Sequence, residues 1–299
     1  MTARILLLGA DGQVGWELRR ALLPLGEVVA MNRAQADLSD LAALRALLER
    51  ERPDVVVNAA AYTAVDKAEA DADRAMRVNA EAPAVLAQHV AAHGGWLVHY
   101  STDYVFDGAK ASPYVETDPP APRSVYGRSK LAGEQAIAQS GCRHLVLRTS
   151  WVYAARGGNF ARTMLRLAGE RDALRIVADQ TGAPTSAELI ADVTGLALHR
   201  LQTDPVLAAS APGLYHLAAA GATTWHGYAR FVIERGLALG LPLRCTPDRV
   251  EPIATADYPL PAPRPANSRL DCGKLESTFA LRLPQWDIQV GRLLAELAG

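Results

Sequence analysis

The chain has 299 residues, 49% of them hydrophobic and 21% charged, a size and balance that fit one large globular domain or two coupled ones. Its 31 basic and 32 acidic residues leave no global field to attract nucleic acid or an anionic membrane surface. Cys142, Cys245 and Cys272 are scattered without Cys-x-x-Cys spacing, so neither a disulfide framework nor a zinc cluster is suggested, and no apolar run approaches the ~20 residues of a membrane span. The first apolar run meets Asp11 and Gly12 without a signal-peptide pattern, so a cytoplasmic protein is expected.

The first half alternates short apolar runs with longer segments of helical period, the pattern of a parallel sheet with crossover helices. Strands are expected over 5–8, 28–31, 55–58, 96–100 and 145–148; helices covering both faces explain why these runs are continuously apolar. Between the first two strands, Val14, Leu18, Ala21, Leu22 and Leu25 recur at helical spacing, and Gly26 is placed to end that helix. Ser39 can cap the next helix, whose Leu41, Leu44, Leu47 and Leu48 form one stripe. Beyond about 151 the regularity weakens and prolines accumulate over 242–265, while 174–177 and 187–201 read as one more strand and helix of the sheet. The expectation is an α/β fold: a Rossmann-like doubly wound parallel sheet with a smaller α/β substrate-binding domain. Residues 1–150 and about 173–202 would form the dinucleotide-binding domain, and about 151–172 and 203–299 the sugar-nucleotide-binding one.

Gly9, Gly12 and Gly15 follow the first strand and open the first helix. Glycine there permits a tight turn and lets a pyrophosphate reach backbone amides at the positive helix end. The spacing is Gly-x-x-Gly-x-x-Gly, not Gly-x-Gly-x-x-Gly. At the end of the second strand, Asn32-Arg33 stands where an acidic residue would favour the free ribose hydroxyl of NAD; Arg33 can pair with a 2′-phosphate or stack on adenine, which favours NADPH over NADH. Asp37 and Leu38 can flank the adenine, and 58–61 ends the third strand with small residues where a cofactor would pass. Tyr126 and Lys130 lie four apart in a predicted helix, on one face, where an ammonium can lower the ~10 pKa of a phenol toward proton exchange with a carbonyl or alcohol. Two exposed helix residues would show the same spacing.

Together the glycine turn, Asn58-Ala59-Ala60-Ala61, Ser101-Thr102-Asp103-Tyr104-Val105-Phe106 and Tyr126-x-x-x-Lys130 resemble the extended short-chain dehydrogenase/reductase family. The likeness is strongest to its dTDP-sugar reductases and runs over nearly the whole chain, through 64–69, 148–153, Asp179-Gln180-Thr181-Gly182-Ala183-Pro184-Thr185, 213–216 and 264–270. The resemblance implies that Thr102 polarises the substrate keto oxygen, that Tyr126 supplies the proton, and that Lys130 lowers its pKa and holds the nicotinamide ribose. It implies that Gly12, Gln13 and Val14 take the pyrophosphate, that Ala61, Tyr62, Thr63 and Tyr100 line the cofactor groove, and that Thr102, Asp103 and Trp151 contact the sugar. The implied reaction is reduction of dTDP-4-dehydro-β-L-rhamnose by a nicotinamide cofactor, as part of surface-polysaccharide biosynthesis.

A dehydratase of the same fold would carry a second acid directly after Thr102-Asp103, where this chain has Tyr104. A 4-epimerase needs only the shared pair and a sugar that can turn over, and a non-catalytic regulatory subunit needs neither. The histidines show no His-Glu-x-x-His spacing; His99 and His216 read as strand residues and the others mostly as surface. The resemblance also implies a homodimer, and Mg²⁺ at Glu17, Glu188 and Glu296, where lone carboxylates on three helices would otherwise be solvated faces. For the substrate pyrophosphate the candidates are Asn159, at the start of a helix, and Arg264 and Arg269.

Overall fold

The computed structural model describes residues 3–299. Five parallel strands, β1 (Ala3–Leu8), β2 (Gly26–Met31), β3 (Val55–Asn58), β4 (Trp96–Thr102) and β5 (His144–Thr149), join a sixth, Gly213–His216, in the order β2-β1-β3-β4-β5 and then the sixth. The order reverses between β1 and β3, and in such sheets the crevice at the carboxyl ends of the strands takes the ligand.

Side chains alternate across the sheet. Ile5, Leu7, Val55, Val57, Val98 and Leu147 enter one core with α1 (Gln13–Ala21) and the helix Ala187–Thr203. Leu6, Leu8, Val56, Leu97 and Val146 enter the other with Leu44, Leu47 and Leu48 of α2 (Leu41–Glu51) and with the helices Ala82–His93 and Val125–Gln139. Both faces are covered, hence the unbroken apolar runs. A separate core, including Tyr153, Met164, Tyr228, Val232 and Leu293, holds the smaller α/β unit together.

Three local expectations change. α1 stops at Ala21 and a 3-10 turn, Leu23–Leu25, follows; Gly26 opens β2, where a side chain would come within 2.1 Å of the Ala3 carbonyl oxygen. Asp40, not Ser39, caps α2 by accepting from the Ala43 amide, while Ser39 is bound to Asp37. Leu174–Val177 does not extend the main sheet: it pairs with Val250–Ile253 in a two-stranded sheet of the smaller unit. Residues 213–216 supply the sixth strand instead, while Ala187–Thr203 does return to pack beside α1. The 173–202 stretch is thus split, its strand with the smaller unit and its helix with the larger.

Candidate active site

At the end of β1 the chain turns at Gly9 with φ +81°, a left-handed conformation in which a side chain would strike the Ala60 amide nitrogen at 2.6 Å. A Cβ on Gly15 would lie 2.0 Å from the Gly9 carbonyl oxygen, so α1 packs directly onto the turn and Gly15 lies beneath the groove. Gly12 begins α1 without a side-chain cap, which leaves the first amides of the helix free to meet an anion. This cradle fits the pyrophosphate of a dinucleotide, with Gly9, Gly12, Gln13 and Val14 on the wall of a groove of about 970 Å³.

Arg33, Asp37 and Leu38 continue that wall. Arg33 is exposed and only 3.5 Å from Asp37, so its guanidinium is available to a phosphate. The Asp37 carboxyl is held below its ordinary value by the backbone and hydroxyl of Ser39, then by Arg33, so it shapes the loop. Asn32 does the same: its side chain accepts from the Gln35 amide and its own amide donates to Gln35, and it does not face the groove.

Ala61, Tyr62 and Thr63 line the opposite wall. Tyr62 is fixed by Asn79, a residue not marked by the sequence, which accepts from the Tyr62 amide at 2.8 Å and donates to its carbonyl at 3.0 Å and to Ser129 at 3.0 Å. Asn79 sits in a π-helical stretch, Arg77–Glu81, a local widening often found at functional sites.

Thr102 ends β4, and its hydroxyl donates to Asp103 at 3.0 Å and accepts from the Tyr104 amide. Ser124 caps the Val125–Gln139 helix, placing Tyr126 in its first turn against Thr102. Burial pushes the Tyr126 phenol up to about 12, with the neighbouring Thr102 hydroxyl acting the other way. The net shift is opposite to the expected one because burial dominates, and the Lys130 ammonium is turned to β4, donating to the Tyr100 carbonyl at 2.6 Å and lying 3.2 Å from His99 Nε2. Burial pushes Lys130 down to about 8, with Glu134 acting the other way. A protonated phenol suits an acid that must give its proton to an alkoxide. Tyr100 contributes that carbonyl; its own hydroxyl bonds Thr194 in the core. His99 is therefore part of the site, and Asn58 stands 3.1 Å from its other ring nitrogen. Asp103 is buried, and burial pushes its carboxyl up to about 6, with the nearby Ser268 and Thr102 hydroxyls acting the other way.

Trp151 borders the groove at the start of the smaller unit, with φ +49° and its indole stacked on Trp225 at 3.6 Å. Gly182 makes room: a Cβ there would lie 2.5 Å from the indole. Holding a tryptophan in the left-handed region costs on the order of 1 kcal/mol, which marks the position as one the fold maintains for a purpose.

The three pyrophosphate candidates are otherwise engaged. Asn159 caps the helix Phe160–Glu170, accepting from Arg162 and donating to the Ala154 carbonyl at 2.6 Å. Arg264 donates to Asp66 at 2.7 Å, and Arg269 bonds Asn267 and the Ala111 carbonyl. Lys67, Arg74 and Arg156, which face the groove, are cations that the sequence reading missed. Glu17, Glu188 and Glu296 share one neighbourhood: burial and then repulsion from Glu188 and Glu296 raise the Glu17 carboxyl, against Arg20, while Glu188 also faces Arg292 at 3.5 Å. Among the described residues they do not converge into a group with donor atoms within 4.8 Å.

The glycine cradle, the switch-point crevice and the Thr102, Tyr126 and Lys130 cluster define a Rossmann-type oxidoreductase of the extended short-chain dehydrogenase/reductase class. The chain matches the family model described as RmlD substrate binding domain over residues 3–298. It is 51% identical to the dTDP-4-dehydrorhamnose reductase of Burkholderia thailandensis over 294 residues, 98% of this chain and 99% of that one. To the dTDP-4-dehydrorhamnose reductase of Escherichia coli K12 it is 48% identical over 297 residues, 98% of this chain and 97% of that one. A solved dTDP-4-dehydrorhamnose reductase from Bacillus anthracis, in complex with NADP, superposes with a TM-score of 0.87 at 30% identity, covering 99% of this chain and all (100%) of that one. The chain belongs to the dTDP-4-dehydrorhamnose reductase family.

Proposed function

We propose that this protein reduces the 4-keto group of dTDP-4-dehydro-β-L-rhamnose to give dTDP-β-L-rhamnose, a precursor for surface polysaccharides such as the lipopolysaccharide O-antigen. The observation that carries the reading is that Thr102 and the half-buried Tyr126 line the same groove as the glycine cradle. A nicotinamide cofactor supplies the hydride when bound. Tyr126 holds its proton until charge develops on the keto oxygen and then transfers it there, while Thr102, its hydroxyl turned from Asp103, donates to the same oxygen. Donors in place before the charge appears favour the transition state over the ground state. Lys130 lies one turn beyond Tyr126, and its positive charge favours the phenolate left behind. Asp103 and Trp151 would bound the sugar.

Tyr104 packs edge-on against Tyr126, ring centres 5.5 Å apart, where a dehydratase would need its second acid. That favours reduction. The exposed guanidinium of Arg33 supports NADPH as the preferred donor. The larger unit would bind the cofactor and the smaller unit the dTDP sugar. Glu17, Glu188 and Glu296, which share one neighbourhood without converging, would meet Mg²⁺ together with ligands from a second subunit of a homodimer, away from hydride transfer. Among the described residues no helix is long and apolar enough to cross a membrane, in keeping with a cytoplasmic setting.

Purified protein mixed with the dTDP-4-keto sugar and NADPH is expected to consume the reduced-nicotinamide absorbance and yield dTDP-rhamnose. No loss of absorbance overturns the reading. A parallel reaction with NADH tests Arg33: faster turnover with NADH than with NADPH would refute its role.

A further inference from the structure

The helix Ala82–His93 carries His89 and His93 one turn apart, so both imidazoles leave the same face. Glu49 reaches them from α2. Each of the three side chains offers one donor atom, and these atoms all lie within 4.8 Å of one another. They wall an open recess of about 450 Å³ shared with Arg52 and Asp54, beside the starts of β3 and β4. The cofactor groove lies at the other end of the strands, so this cluster is separate from it.

The local hydrogen bonding leaves lone pairs for an ion. Nδ1 of His93 lies 3.0 Å from the His89 carbonyl, which can only accept; the ring proton therefore sits on Nδ1 and Nε2 is free. A backbone carbonyl often orients a metal-binding histidine in this way. His89 is buried, its Nε2 has no partner, and its Nδ1 faces Glu49 Oε1 at 3.5 Å. That separation exceeds an ordinary N–H···O bond of ~2.7–3.2 Å. It is near the ~3.4 Å between two donor atoms that share one tetrahedral ion at ~2.0–2.1 Å. The two rings stack with centres 4.2 Å apart, so they present their edges to a common space.

We propose that Glu49, His89 and His93 bind one divalent transition-metal ion of the zinc class, with the remaining position open to water. Two imidazoles and a carboxylate suit zinc, nickel or copper and not magnesium, whose partners are oxygens. The ion would tie α2 to the Ala82–His93 helix and take no part in hydride transfer.

The test uses the full chain, freed of any histidine tag and stripped of metal. Co²⁺ is titrated by visible absorption and Zn²⁺ by calorimetry, on the unaltered protein and on Glu49→Gln and His93→Gln, both exposed positions whose change leaves the core intact. One equivalent should bind with the absorption of a low-coordinate Co²⁺ site, and each variant should lose at least ~10-fold in affinity with reductase activity unchanged. Zn²⁺ should raise the melting temperature of the unaltered protein and not that of His93→Gln. No stoichiometric binding, equal binding in both variants, or a thiolate-to-cobalt charge-transfer band pointing to a cysteine would each overturn the proposal.

Discussion

Lys130 Nζ lies 3.2 Å from His99 Nε2 while donating a 2.6 Å bond to the Tyr100 carbonyl, so the lysine is fixed by β4 and not by the tyrosine one turn before it. Asn58 backs the imidazole at 3.1 Å, and its own orientation is set by the Ala60 amide donating to its oxygen. The chain of contacts runs from the end of β3, where the cofactor would pass, to the helix that carries Tyr126 and Lys130.

His99 is therefore a positioning residue. His99→Leu should leave Lys130 with one anchor and lower kcat by about 10–100-fold, as small misplacements do. His99→Gln, which keeps a polar group facing Lys130, should recover most of it. Steady-state kinetics on folded protein check this; unchanged kcat in His99→Leu would show that the Tyr100 carbonyl alone suffices.

The pH profile follows from two opposed shifts caused by burial. Lys130 is pushed down to about 8 and Tyr126 up to about 12. As pH rises through about 8 the ammonium is lost, and with it the charge that favours the phenolate. Reductive kcat should fall along an alkaline limb near that value. Tyr126 keeps its proton to about 12 and adds no limb below it. A rate constant from pH 6 to 10 would contradict the assignment, and Lys130→Arg should be slower with the limb removed.

Asp103 links the site to stability. Its carboxyl titrates at about 6 in the folded protein, against ~3.9 in an unfolded chain. Between these values the folded state binds more protons, so stability is greatest below the window and falls as pH rises through it. At 1.36 kcal/mol per pKa unit, the buried charge costs up to about 3 kcal/mol at neutral pH. Asp103→Asn should raise the melting temperature at pH 7.5 and flatten its dependence between pH 4.5 and 7. An equally sloped curve for the variant would place the titration elsewhere.

The sheet and cradle were legible because they rest on local rules: apolar runs for strands, glycines where backbones touch. Tyr126 and Lys130 were legible as a spacing, but the direction of the phenol's shift was not, since it depends on burial by distant segments. His99 could have been found from strand alternation, which turns it to the same side of β4 as Leu97, toward the helix carrying Lys130. Leu174–Val177 read as a strand of the main sheet because its composition carries no record of its partner, Val250–Ile253, more than seventy residues later. Asn79 and the Glu49, His89 and His93 cluster come from pairs of helices whose contact no single stretch encodes. Arg269 is anchored on Asn267, whose side-chain amide also donates to the Lys110 and Ser112 carbonyls. The 264–270 stretch is thus a clasp, although its arginines suggested an anion site.

Gly182 offers a test of the sugar side that leaves the cofactor cradle untouched. A Cβ at this position would come within 2.5 Å of the Trp151 indole, whose backbone is already in the left-handed region and whose other face is stacked on Trp225. The indole cannot retreat through Trp225, so in Gly182→Ala it must move along the groove wall. KM for the dTDP sugar should rise about 10-fold, the order expected of one lost apolar contact, while KM for NADPH stays within twofold. Gly291, on the helix Trp286–Ala298 with nothing within 4 Å of an added Cβ, is the matched control. Gly291→Ala should leave both constants unchanged and stabilise the fold by about 0.5–1 kcal/mol through helix propensity. Equal rises in both KM values for Gly182→Ala would mean that Trp151 braces the whole groove and does not contact the sugar alone.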